Sequence, residues 1–159
     1  MEMKKFLLGT AFLAFSSGVF AAAGDLDVVH NVYTKHFIDS TYYSRDEGIK
    51  KYEENNNLTG FRLGITDHFN IGYAKGTNSY GQDTNVYATE FTYPLHRYID
   101  AGIMVGLADG YERISSNGWA FAGGPFLRAQ TPVVGFTFGV YSMSAFTLTV
   151  DVPINSSFW

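Results

Sequence analysis

The sequence predicts an all-β chain closed into an eight-stranded antiparallel transmembrane β-barrel, and three observations predict it. Segments of about ten residues alternate apolar with small or polar side chains and are separated by turns. The N-terminus has the parts of a secretory signal: Lys4 and Lys5, an apolar run from Phe6 to Val19, and small Ala21-Ala22-Ala23 before Gly24-Asp25. Charged residues make up 16% of the 159 residues while aromatics reach 17%. A soluble fold, whose surface calls for roughly 25 to 35% charge, would leave apolar side chains facing water.

Residues 1–23 are expected to be removed on export, by cleavage after Ala21 or Ala23, leaving 24–159 as one barrel domain. Beyond the signal no run of about eighteen apolar residues occurs, so no membrane helix is expected. Cysteine is absent, which suits a barrel held by its continuous ladder rather than a disulfide-stapled exported domain. The net charge of −4 and the lack of a Lys/Arg cluster argue against a nucleic-acid partner. There is no His-x-x-x-His or cysteine spacing for a metal and no nucleotide-binding glycine loop, so neither metal nor cofactor is expected.

In order, the expected strands are Val29–Phe37, Leu58–Thr66, Phe69–Thr77, Asn85–Leu95, Tyr98–Ala108, Trp119–Arg128, Pro132–Tyr141 and Ser144–Val152. Ser144–Val152 shows the pattern most clearly, with Phe146, Leu148, Val150 and Val152 on one face and Thr147, Thr149 and Asp151 on the other. Asp67-His68, His96-Arg97 and Ala129-Gln130-Thr131 make short turns, which face the periplasm in such barrels. Ser40–Asn57, Ser79–Thr84 and Asp109–Gly118 make longer outer loops. The last outer connection, at Ser142-Met143, is unusually short. Pro125 and Pro132 mark places where pairing breaks, read either as strand termination or as a lateral opening for a lipid tail, and Pro153 is read as ending the eighth strand.

Alternation turns Phe61, Ile71, Tyr87, Phe91, Ile103, Leu107 and Phe138 outward to lipid. Their neighbours face inward, and most are small: Gly60, Gly64, Gly72, Ala74, Ala88, Gly102, Gly106, Ala108 and Gly124. An eight-stranded interior is normally filled by side chains. These glycines either relieve crowding in a curved sheet or leave a slot for an extended acyl chain, bounded by Gly72, Ala88, Gly102 and Met104. The inward charges Arg62, Glu90 and Asp100 suggest an ion network closing the lower half of the lumen.

Among four histidines, His68 and His96 fall in tight turns and read as solvated turn residues. His36 ends the first strand at the outer rim, and Ser79 ends the third at the same height, where an imidazole can take a proton from a hydroxyl.

Tyr33-Thr-Lys-His36, Lys51-Tyr-Glu-Glu54, Gly60-Phe-Arg-Leu63, Tyr73-Ala74 and Asn78-Ser79-Tyr80 together resemble the lipid A palmitoyltransferase barrels of Gram-negative outer membranes. The resemblance implies a catalytic site of His36, Ser79 and Asn78, the last standing where the family has an aspartate. It also implies an acyl chain from a phospholipid held in the lumen and passed to lipid A. The family's N-terminal amphipathic helix has no room here. An asparagine can orient a neutral imidazole but cannot offset its charged form; Asp39, Glu53, Glu54 and Asp83 are alternative carboxylates.

Two readings follow. One is an acyltransferase; the other is a non-enzymatic barrel for lipid binding, envelope protection or surface interaction. In both, the expected setting is the outer-membrane bilayer of a Gram-negative bacterium, the barrel is a monomer, and its partners are membrane lipids, phospholipid and lipid A.

Overall fold

The computed structural model describes residues 23–37, 41–44, 47–113 and 115–155. The expected signal lies outside these residues except for Ala23, as do Asp39 and the aromatic terminus Phe158-Trp159. Ten strands are formed: β1 (Leu26–His36), β2 (Thr41–Ser44), β3 (Gly48–Lys51), β4 (Thr59–Thr66), β5 (Phe69–Thr77), β6 (Asp83–His96), β7 (Ile99–Ala108), β8 (Ala120–Gln130), β9 (Gly135–Tyr141) and β10 (Ala145–Asn155). Eight of them close into an antiparallel barrel in the order β1-β10-β9-β8-β7-β6-β5-β4, with β4 paired back onto β1.

The remaining pair, β2 and β3, is a small hairpin inside the Ser40–Asn57 connection, where only a loop was expected. Four-residue strands are too short for alternation to register. The one mark they leave in the sequence is Gly48, whose φ of 75° favours a residue without a Cβ.

Pairing fixes the faces. Phe61 opposes Tyr73 and Val28, Phe91 opposes Phe69 and Ile103, and Leu107 opposes Tyr87 and Phe121, so the apolar set forms an exposed outer wall. Aromatic rings border it at both ends. Tyr73, Tyr87 and Trp119 follow one another on the long-loop side, at 5.4 and 6.3 Å between ring centres, and Phe69 meets Phe91 at 5.1 Å on the short-turn side.

Two proline expectations part company here. Pairing of β8 to β9 stops at Phe126↔Gly139, one residue short of Pro125, as expected. Pro153, by contrast, does not end the last strand: β10 runs on to Asn155. It lies beyond the last β9 pair, Gly135↔Asp151, and beside a register shift in β1, where a missing N–H costs little. The short outer turn is confirmed, with Ser142 and Met143 at φ 50° and 53°, the left-handed pair that a two-residue hairpin requires.

The lower half of the lumen is filled with charge. Arg62 holds Asp27 at 2.5 Å and Asp151 at 3.2 Å, and Arg128 holds Glu90 at 2.7 Å. Thr137 joins the two halves, accepting from Arg128 Nε at 3.0 Å and donating to Asp151 at 2.7 Å. Glu90 also lies 3.9 Å from Arg62. Asp100 is buried nearby but is not ion-paired with either arginine. Arg62 and Arg128 are 4% and 1% exposed, so removing one would leave carboxylates stranded out of water.

Most inward glycines answer to curvature. A Cβ on Gly60, Gly106 or Gly124 would run into the backbone carbonyl of Tyr73, Tyr87 or Val140 on the next strand. Gly72 is different, since its nearest neighbour would be Phe61 O at 3.5 Å, ordinary contact distance.

Candidate functional site

Above the ion network the lumen opens into a cavity of about 310 Å³. Its two walls differ. Gly72, Ala74, Val86, Ala88, Met104 and Ala108, from β5 to β7, make an apolar side, while Asn31, Thr34, Thr147 and Thr149, from β1 and β10, make a polar one. Glu90, Arg62 and Asp151 form its floor.

Three of the four expected slot residues, Gly72, Ala88 and Met104, line this cavity, but Gly102 does not. The ring of Phe126 lies over Gly102, so closely that a Cβ there would overlap it, and Arg128 sits 4.9 Å from the ring centre. Phe126 occupies the space that a slot at Gly102 required.

His36 reaches the cavity because of a fault in the strand. Asn31 pairs with Thr149 and Tyr33 with Leu148, so Val32 is an extra residue, a β-bulge. Val32 and Tyr33 are both exposed, and the alternation changes phase between them. Strict alternation from Val29 and Asn31 would turn His36 outward, whereas the bulge turns Thr34 and His36 inward. Asn31 secures the bulge by donating to Tyr33 O and Leu148 O at 3.3 and 3.4 Å.

Ser79 lines the same mouth. No hydrogen bond joins it to His36 among the described residues. Instead the His36 ring stacks on Tyr52 at 4.0 Å with 11° between planes, its buried Nδ1 has no partner, and Ser79 Oγ accepts from Asn56 Nδ2 at 3.2 Å. Sequence reading passed over Asn56, whose only mark is a place in the polar run Glu53–Asn57.

Asn78 is 1% exposed, and among the described residues its side chain has no hydrogen bond to His36. Its Oδ1 accepts from Tyr80 N at 2.9 Å and Gln82 N at 3.1 Å, and its Nδ2 donates to Gly110 O at 2.6 Å. An amide supplies both roles, binding its own turn and the facing loop. A carboxylate could not donate to Gly110, which accounts for the asparagine physically. Of the alternative carboxylates, Glu54 is taken by Lys35 at 2.5 Å and Glu53 by Asn55 N at 3.0 Å, while Asp83 is exposed.

A set of tyrosines covers the mouth. Tyr42 from the hairpin meets Tyr80 at 4.6 Å and Tyr52 at 5.3 Å, and Tyr80 meets Tyr111 at 5.5 Å. Arg113 ties this cover down, reaching Tyr80 O at 3.0 Å and Tyr42 Oη at 3.3 Å. Burial pushes the Tyr111 phenol up to about 12 and, with the hydrogen bond that Tyr80 donates to Tyr52, raises Tyr80 as well. Tyr80 and Tyr111 are therefore neutral at physiological pH.

The cavity also borders two weak seams. The β1–β4 ladder ends at His30↔Thr59, with one further bond from Asn31 N to Leu58 O; above it the contacts are Lys35–Glu54 and the His36–Tyr52 stack. At β8–β9 the ladder lapses at Pro125 and is caught again by Ser142, which donates to Gly123 O at 2.6 Å and Phe121 O at 2.9 Å.

No protein-family profile and no curated protein matches the chain. Among solved structures, a de novo designed transmembrane β-barrel superposes with a TM-score of 0.63 at 9% identity, covering 86% of this chain and 100% of the designed one. At that identity the likeness is one of fold.

Proposed function

We infer that residues 24–159 form an outer-membrane barrel that takes one aliphatic chain of a membrane lipid into its upper lumen, residues 1–23 being the export signal. The observation that carries this reading is the cavity of about 310 Å³, open at the long-loop end and floored by ions. The exposed apolar wall with aromatic rings at both borders supports the bilayer setting. The two seams are the candidate side doors for the chain.

Extraction of the detergent-purified barrel followed by mass spectrometry should recover bound acyl lipid, and Met104→Trp, which fills the cavity, should remove it. Recovery of the protein as a soluble periplasmic species, or a folded barrel free of lipid, would end the reading.

Acyl transfer from phospholipid to lipid A is the second reading. It is favoured by one observation, that the bulge at Val32 brings His36 to the same mouth as Ser79. In it His36 is the general base and Ser79 its hydroxyl partner, once the imidazole is released from the Tyr52 stack. His36→Ala and Ser79→Ala should each abolish transfer of a labelled acyl group by the barrel in detergent. A folded parent without transfer would leave lipid binding alone.

A further inference from the structure

Asn56 sits at the cavity mouth on the run of chain between the hairpin and β4. Its backbone is fixed there: its carbonyl accepts from Thr77 N at 2.8 Å, and Asn57 next to it adopts φ 46°. Its side chain is 5% exposed. One half of the amide is used, donating to Ser79 Oγ, while the other half, Oδ1, is buried with no hydrogen-bond partner among the described residues. A buried acceptor left unpaired is costly, and native folds retain few of them. His36 Nδ1, on the facing strand, is the second such atom at the same mouth.

A lipid with one chain in the lumen leaves its headgroup at this level. Resting on that lumenal reading, we propose that Asn56 is the headgroup-binding residue of the site: its Oδ1 accepts a hydrogen bond from a donor on the lipid, an ammonium or a hydroxyl, and holds that donor beside Ser79. The amide cannot swing away to find water without giving up Ser79, so the acceptor stays beside the mouth that Asn56 lines. With Tyr80 and Tyr111 neutral and the Glu54 carboxylate already held by Lys35, Asn56 is left to make the distinction. A headgroup with no N–H or O–H would leave Oδ1 as it is now, and sites built around a hydrogen bond discriminate strongly against ligands that cannot make it.

Three phospholipids with identical chains separate the possibilities. Phosphatidylethanolamine offers ammonium donors, phosphatidylglycerol offers hydroxyls, and phosphatidylcholine offers neither. Native mass spectrometry of the barrel released from micelles containing equal amounts of all three reads their occupancy. The parent should hold phosphatidylcholine roughly tenfold less than the better of the other two, which identifies the donor. Asn56→Leu, similar in volume, should bind all three alike. Asn56→Asp keeps the acceptor and adds charge, so it should keep the discrimination and move it toward phosphatidylethanolamine. Heat-dependent gel mobility confirms that each variant is folded. Equal occupancy in the parent, discrimination that survives in Asn56→Leu, or discrimination lost in Asn56→Asp overturns the assignment while lumenal binding stands. A folded parent that holds none of the three overturns both.

Discussion

The two halves of this barrel share strands, outer wall and closure, yet their interiors follow opposite rules. Below the level of Glu90 and Met104, the lumen is packed with side chains that answer one another: two arginines, three carboxylates and Thr137 in one bonded set, with Phe126 filling the space over Gly102. Above it, small residues leave a cavity, two buried polar atoms at the mouth go unpaired among the described residues, and two of the eight ladders thin out. Bonding and packing are concentrated where nothing is left to bind. The half that gives up ladder and packing is the half with room for a ligand, as expected when binding regions are drawn from the less stable parts of a fold.

The sharpest way to break this contrast is Arg62→Leu, which strands Asp27 in the lower half and leaves Asp151 to Thr137 and Arg128. It should cost about 3–5 kcal/mol, read as a lower urea midpoint in detergent or vesicles. A loss of only a few tenths would mean that the ion set is no plug, and the halves would cease to differ.

Asn78→Asp is the next largest. Gly110 O would lose its donor and face a carboxylate, at a cost of about 1–3 kcal/mol in the same measurement. Were Asn78 instead the orienter of His36, the substitution would leave stability intact and raise acyl transfer.

A pair of glycine substitutions draws the boundary finely. Gly102→Met must displace Phe126 and should destabilise by about 1–3 kcal/mol without altering which chain is bound. Gly72→Leu enters open cavity and should stay within about 1 kcal/mol of the parent while shortening the bound chain, seen by mass spectrometry of extracted lipid. Shortening by Gly102→Met alone would move the cavity floor to Phe126 and reverse the assignment.

How much of this was legible in the sequence depends on the range of each signal. Strand number, closure, the outward faces and the inward charges are carried by period-two alternation over long segments, which survives local irregularity. The partners of Arg62 were harder to see. Asp27 lies ahead of the expected start of strand one, and Asp151 is brought in by closure from the far end of the chain. The β2–β3 hairpin was too short to show a period. Gly102 and Gly72 read alike in sequence, because whether a glycine faces a void or a ring depends on what stands opposite, here Phe126. Asn56 and the true bonds of Asn78 depend on loop paths that no periodicity encodes.

The extra residue in β1 has a consequence for how this chain is compared with others. Any ungapped alignment of Leu26–His36 with a regular strand is out of phase on one side of Val32: matching Val29 and Asn31 brings Lys35 to the rim position, and matching His36 misplaces the residues below. A strand of the same shape needs one residue fewer. Deleting Val32 should therefore leave His36 facing inward and the barrel closed, whereas deleting Lys35 should bring Phe37 to the rim position and turn His36 off that face, which a His36-dependent readout would register at once. The position of the rim histidine is thus inherited as a length, counted from the bulge, rather than as a motif.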